Sequence, residues 1–288
     1  MKKKREMKAK RKLIINADDL GMSAFVNSQI EECIRRGVIT SCTLMANAPA
    51  FEEGVRIAKL YPHISVGVHL NIIEYAPLTN INVFRRHGLL NDEGNFIDGA
   101  IFIVPIDDEL KQAVFEEWDA QVAKIEASGI IPSHCDSHQH THAIEELRDP
   151  LFRVLDKHKI KRVRRKIIPS IRLMLRAKRQ STVKLDKSKA VQPKRHNIFY
   201  RCINLLVTKY QSNRWNRRMK VRYTMTDRFY SFRNFYDNRN YLGLGCDNAV
   251  IELMCHPGNA PYQSETEKLM RDMSWIDSKC QLISYNEL

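Results

Sequence analysis

Four of the ten histidines in this 288-residue chain fall inside one decapeptide, Ser133-His134-Cys135-Asp136-Ser137-His138-Gln139-His140-Thr141-His142. Alternation along an extended segment predicts His134, Asp136, His138 and His140 on one side. Neutral imidazole beside carboxylate is a ligand set for a divalent metal, and every buried imidazole otherwise needs a hydrogen-bond partner of its own. A single histidine is more often a hydrogen-bonded structural residue. A cluster this dense points to a metal, though to no particular reaction. Asn16-Ala17-Asp18-Asp19-Leu20-Gly21 adds two adjacent carboxylates. One of such a pair can bind the metal while its neighbour serves as a base, although an isolated Asp-Asp equally suits a helix N-terminus. His69 in Gly67-Val68-His69-Leu70 and His256 in Glu252-Leu253-Met254-Cys255-His256-Pro257-Gly258 complete the set.

The surrounding pattern tells how these groups are carried. Leu13-Ile14-Ile15 is a short apolar strand running into the Asp pair. Ser23 can cap a helix with Val26, Ile30, Cys33 and Ile34 on one face, stopped by Gly37. Residues 39–45 and 64–70 read as strands, the second ending in His69, with an amphipathic helix over 51–60 between them. Residues 108–127 form a long helix burying Leu110, Val114, Trp118, Val122 and Ile125. A strand over 132–137 then delivers the histidine cluster, and Asp149-Pro150 opens a helix to about His158. A strand over 162–168, a helical face over 199–210, a strand over 250–255 ending at His256 and a closing helix over 265–276 follow. Residues 71–107 lack a sustained period and read as a long loop with one hairpin. Strands alternating with helices imply a parallel sheet, whose C-terminal strand ends all face one side. Asp18, Asp19, His69, the cluster and His256 can therefore converge there.

Composition bounds the alternatives. With 43% apolar and 28% charged residues the chain is an ordinary soluble type. No run approaches the roughly 18 apolar residues of a membrane span. Seven cysteines, odd in number and without Cys-x-x-Cys pairs, suit free thiols in a reducing compartment. The start is basic but lacks the apolar core and cleavage site of a signal peptide, so a cytoplasmic location is expected. The net charge of +14 is uneven: residues 1–12, a basic N-terminal tail, carry +7, residues 157–222 carry +22, and the remainder carries −15. The expected organisation is that tail followed by one domain over 13–288, with a basic insertion near 170–222. The insertion could contact an anionic partner or form a homodimer contact. Phe199, Tyr200, Tyr210, Trp215 and Tyr223 interleave with its charges as bases would require, making nucleic-acid or anionic-polymer binding the lesser alternative function.

Taken together, the five motifs resemble those of the YdjC (ChbG/HpnK-type) carbohydrate deacetylases, in order and spacing, from residue 13 to about 276. Gly37-Val38-Ile39-Thr40-Ser41 is the fifth motif, beside those already quoted. The resemblance implies an α/β fold, a deformed (β/α) barrel of the polysaccharide-deacetylase type. It implies an enzyme that removes the acetyl group from N-acetylated sugars such as chitooligosaccharides, while the basic stretch would suit an anionic form of such a sugar. Carried over by position, Asp19, His69 and His138 would be metal ligands, Asp18 the general base and His256 the general acid. His134, Asp136, His140 and His142 would orient the ligands or contact substrate. The family is associated with Mg²⁺, while two imidazoles and one carboxylate suit Zn²⁺ equally by ligand softness. Leu20 stands where an aromatic residue is commoner. The nearest rival is another metal-dependent hydrolase, such as a two-metal phosphoesterase, which needs further ligands to bridge a second ion.

Overall fold

The computed structural model describes residues 11–167, 198–238, 249–271, 273 and 280–288. The basic tail before Arg11 and the basic stretch 168–197 lie outside the described residues, as do residues 274–276 of the expected closing helix; the observed helix ends at Met270, with Arg271 extended after it. Strand β1 (Arg11–Leu20) is central, with β2 (Ser41–Leu44) and β6 (Val250–Cys255) as neighbours, and β7 (Cys280–Leu282) beside its first residues. The sheet order is β4-β3-β2-β1-β6-β5, with β3 Ser65–Leu70, β4 Cys135–Ser137 and β5 Arg228–Ser231, and every ladder is parallel. Bridges Cys135↔Val163 and Arg162↔Thr224 continue the pairing from β4 toward the segment that enters β5. The sheet thereby curls round on itself as a deformed (β/α) barrel. Strands covered on both faces require near-continuous apolar runs, and Leu13, Ile14, Ile15, Val68, Ile251 and Leu253 are all at or below 1% exposure.

Helices pack outside. In α1 (Ala24–Arg35) the Ser23 hydroxyl accepts from the Val26 amide at 3.2 Å. Gly37, at φ 69°, closes the other end, its amide and that of Val38 reaching back to the Ile34 and Cys33 carbonyls. Helix α2 (Phe51–Leu60) follows β2. The segment after β3 is more ordered than its composition suggested: α3 (Ile81–Arg86) occupies it, with the expected hairpin at the Leu90↔Phe96 bridge. Six residues are too few for a helical period to register, and Phe84 alone among them is buried, edge-on to Phe96. Helix α4 (Asp108–Ala127) starts at an Asp107 cap and buries Trp118 completely. Its Gln121 brackets the backbone of Asn71 from both sides, at 2.8 and 2.6 Å, and so pins the exit of β3 just past His69.

Three other expectations need correction. Helix α5 (Arg148–Lys157) begins before Asp149, which sits in its first turn and does not cap it. Among the described residues of the expected strand 162–168, only Arg162 and Val163 bridge to neighbours. Helix α6 (Ile198–Lys220) extends ten residues beyond the expected face, and its last two turns enter the body. There Trp215 and Met219 are buried, as is Tyr223 after the helix, so Trp215 and Tyr223 are core residues with no face for a base to stack on. Helices α7 (Phe232–Asn238) and α8 (Gln263–Met270) flank β6. Among the described residues no helix is long and apolar enough to cross a membrane, and the five described cysteines are free and buried.

Candidate metal centre and active site

The Asp pair sits on an irregularity of β1. Pairing with β2 loses register between Ala17 and Leu20, and Asp19 adopts φ 68°, a left-handed conformation that costs a non-glycine residue energy. In a regular strand neighbouring side chains point to opposite faces. Here the bulge turns both Asp18 and Asp19 into one cleft. Asn27 holds the turn by accepting from the Gly21 amide at 2.7 Å.

His69 arrives at the end of β3. Its Nδ1 lies 2.7 Å from Asp136 Oδ1 and 3.1 Å from the Thr43 hydroxyl, which directs Nε2 to within 3.2 Å of Asp19 Oδ1. That Nε2 is buried without a hydrogen-bond partner. His138 follows β4, with Nδ1 2.9 Å from the same Asp19 oxygen and Nε2 3.7 Å from Glu74. Asp19, His69 and His138 thus offer one carboxylate and two imidazole atoms within 4.8 Å of one another. A buried unpartnered nitrogen, a partner behind each ring and a mixed N/O donor set fit a divalent cation.

The strict alternation expected through His140 stops at Ser137. The chain then coils into a 3₁₀ turn over His138–Ala143, with Gln139 and His140 in left-handed conformations. His134 and Asp136, still in or beside the strand, both point inward at 0% exposure. His134 does not line the cleft: Nε2 meets Asn16 Oδ1 at 3.1 Å, Nδ1 meets the Ser133 hydroxyl, and the ring stacks on Tyr285 at 3.6 Å. Burial holds its pKa well below the ordinary histidine value. A Cβ on Gly67 would lie 2.6 Å from that ring, which explains the glycine in β3. His142 bonds the Ser137 hydroxyl and is buried against Trp215, away from the cleft. His140 does line the cleft, beside Phe229. Burial, reinforced by Arg164, pushes it down to about 3, so it is neutral at physiological pH.

Arg164 has no counterpart among the residues singled out from sequence. It is fully buried and donates to both Asp18 oxygens at 2.6 and 2.7 Å, to Glu252 at 2.7 Å, and stands 2.7 Å from Asp136. Burial would raise Asp18, but this guanidinium outweighs it and holds the carboxyl well below its usual range. Burial likewise opposes ionisation of Asp19, yet the hydrogen bond with His138 and the imidazole of His69 close by carry it well below normal. Against burial, Asp136 raises His69 to about 10, and Asp19 with Glu74 raises His138 to about 9. The interior therefore favours positive charge beside Asp19.

His256 leaves β6 with Nε2 3.9 Å from Asp18 and Nδ1 3.2 Å from Glu265, a 1% exposed residue of α8 that also accepts from the His256 amide. Burial lowers its pKa, but Glu265 and then Asp18 outweigh that and raise it above the ordinary value. Tyr262 stacks on its ring at 4.1 Å. Asn259 donates to Asp19 Oδ2. The cleft, about 350 Å³, is walled by these groups together with Glu74 and Asp98. Glu265 and Arg164 escaped the sequence because Glu265 lies on a different element from its histidine, and Arg164 is hidden in a run of basic residues.

Fold and site define a deformed parallel barrel with a two-histidine, one-carboxylate centre at its C-terminal strand ends. The chain belongs to the YdjC-like protein family, whose model matches residues 12–280. It is 34% identical over 148 residues to a carbohydrate deacetylase of Halalkalibacterium halodurans, covering 51% of this chain and 61% of that one. It is 34% identical over 138 residues to a chitooligosaccharide deacetylase of Proteus mirabilis, covering 47% and 51%. The matched part thus spans between half and two thirds of those relatives' length. Its fold is also that of a proposed cellobiose-phosphate cleavage protein solved from Enterococcus faecalis V583, with a TM-score of 0.69 and 21% identity over 97% of this chain and 99% of that one.

Proposed function

We propose that this chain is a metal-dependent carbohydrate N-deacetylase that hydrolyses the acetamide of N-acetylated sugars of the chitooligosaccharide kind. The observation that carries this is the convergence of Asp19, His69 and His138 beside an Asp18/His256 pair in one cleft. Asp19, His69 and His138 would hold one ion, Mg²⁺ by family association or Zn²⁺ by ligand type. Such an ion supplies Lewis acidity toward a carbonyl and toward water.

The chain's own groups account for the rest. Asp18 is held at both oxygens, by Arg164 and by the Asn16 amide at 3.0 Å, so its position is set before substrate arrives. It accepts the proton of the attacking water as an oriented, weakly basic group, where geometry counts before basicity. An amide nitrogen leaves poorly unless protonated. His256, raised by Glu265 and facing Asp18, is placed to give that proton. Asp136 and Thr43 fix the His69 tautomer, and Glu74 faces the outer nitrogen of His138.

A two-metal phosphoesterase is disfavoured by Arg164. The other ligand group, Asp18, His69 and Asp136, has a guanidinium nitrogen 2.6 and 2.7 Å from its two carboxylates, and a second cation would meet that charge. Among the described cleft residues there is no Lys or Arg, while Glu74 and Asp98 stand on the wall. A neutral acetylated sugar is therefore the favoured substrate over a phosphorylated one. A cytoplasmic location agrees with the five described cysteines, which are free and buried. The test is acetate release from N,N′-diacetylchitobiose after chelation and after re-addition of Mg²⁺ or Zn²⁺. Restored release is expected; no release with either ion would sink the proposal.

A further inference from the structure

The groups assigned to the reaction do not include the buried Tyr285. Tyr285 is 0% exposed and belongs to the segment Ser284–Leu288, closed by a reciprocal cap between Ser284 and Glu287. Its amide donates to the hydroxyls of Ser41 and Ser65, the first residues of β2 and β3. The segment therefore plugs the N-terminal mouth of the barrel, opposite the cleft. Arg162 grips it from the side, donating to the carbonyls of Leu288 and Asn286 at 3.1 and 3.2 Å.

Two routes run inward from the Tyr285 side chain, and both end on Asp18. Along the first, the hydroxyl donates to Glu252 Oε2 at 2.5 Å, Glu252 Oε1 accepts from Arg164 Nε at 2.7 Å, and Arg164 donates to both Asp18 oxygens. Along the second, the ring lies flat on His134, 9° from parallel. His134 Nε2 holds the side-chain oxygen Oδ1 of Asn16, and the Asn16 side-chain Nδ2 donates to Asp18 Oδ1. Every member is at or below 2% exposure, so water cannot substitute for a lost partner without rearrangement. Arg164 is shared by three carboxylates, and its orientation depends on where Glu252 is fixed. We propose that Tyr285 is a positioning residue: it holds Glu252 and His134 so that Arg164 and Asn16 present Asp18 to the cleft. The kinetic part of this rests on the deacetylase reading; the geometric part does not.

The test uses the full chain carrying Tyr285→Phe, Glu252→Gln, or both, loaded with Mg²⁺ and assayed on N,N′-diacetylchitobiose. Tyr285→Phe keeps the ring stack and removes only the first route. It is expected to lower kcat about 10-fold while KM stays within about 2-fold, because Asp18 is displaced and sugar contacts are not. Bound metal per chain stays at the wild-type value. The double variant is no slower than Glu252→Gln alone, since both changes cut one route. A residue acting only through overall stability would lower the melting temperature, leave kcat per metal-loaded chain unchanged and add to the effect of Glu252→Gln. Crystal structures of Tyr285→Phe and Glu252→Gln supply a readout free of activity: at least one Arg164–Asp18 bond should lengthen beyond hydrogen-bonding distance. If both bonds persist and kcat is that of wild type, the proposal is wrong. If the wild-type chain releases no acetate, the deacetylase reading fails, and the two structures alone decide the positioning role, Glu252→Gln serving if Tyr285→Phe does not fold.

Discussion

Arg164 and Asp18, 146 residues apart in sequence, form a two-bond buried ion pair at 2.6 and 2.7 Å directly beneath the cleft. The same guanidinium also answers Asp136 and Glu252, so one positive charge serves three buried carboxylates. Removing it strands them. Arg164→Met should destabilise the fold by about 3–5 kcal/mol, the usual cost of leaving buried charge uncompensated. Urea unfolding of the two proteins measures this, and a loss below about 1 kcal/mol would mean the carboxylates take up protons or another counter-charge at little expense.

The Asp19, His69 and His138 assignment is tested by metal content. His138→Ala removes one imidazole from Asp19 Oδ1 and should leave a chain that loses its ion on dialysis against a weak chelator, while wild type retains one per chain. Stoichiometric metal in the dialysed variant would take His138 out of the centre.

Asp18→Asn separates base from ligand. The amide keeps the side-chain shape but cannot take up the water's proton, so turnover should fall by roughly 10²-fold or more with the metal still bound. Unchanged turnover in a metal-loaded variant would remove Asp18 from the chemistry.

Stability should carry a pH signature remote from the centre. Glu117 of α4 is buried and accepts from the Thr79 amide and hydroxyl and from Gln121, yet burial outweighs those bonds and raises its pKa above the ordinary 4.5. Between 4.5 and that raised value the folded chain holds the proton more often than the unfolded one, so this group's contribution to stability falls as pH rises. Glu117→Gln has no such proton to lose. The melting-temperature difference, variant minus wild type, should therefore grow from pH 4.5 upward; a constant difference would show that Glu117 titrates normally.

The acidic wall of Glu74 and Asp98 makes a further expectation about charge. A 6-phosphorylated acetylamino sugar should be a poorer substrate than its neutral counterpart at low salt, and its kcat/KM should rise with ionic strength as repulsion is screened, the neutral sugar's staying flat. A fall with salt for the phosphorylated sugar would instead assign attraction to the basic stretch between 157 and 222.

Strand ends and helix faces were legible because apolar spacing records which side of one element is covered. Residues 108–127 matched α4 end to end, and the motifs ending β1, β3, β4 and β6 brought Asp18, Asp19, His69, His138 and His256 to one cleft. Spacing alone could not rank the clustered histidines. His134 and His142 share the pattern of His138, but one lies under Tyr285 and the other against Trp215, contacts made only when distant segments return. Nor could it place two consecutive aspartates on one side, since strand alternation predicts the reverse and only the bulge at Asp19 overrides it. The basic run concealed Arg164 for the same reason. Sequence records that a residue is charged, whereas burial among Asp18, Asp136 and Glu252 is decided by the curled sheet, which brings those carboxylates where water cannot follow.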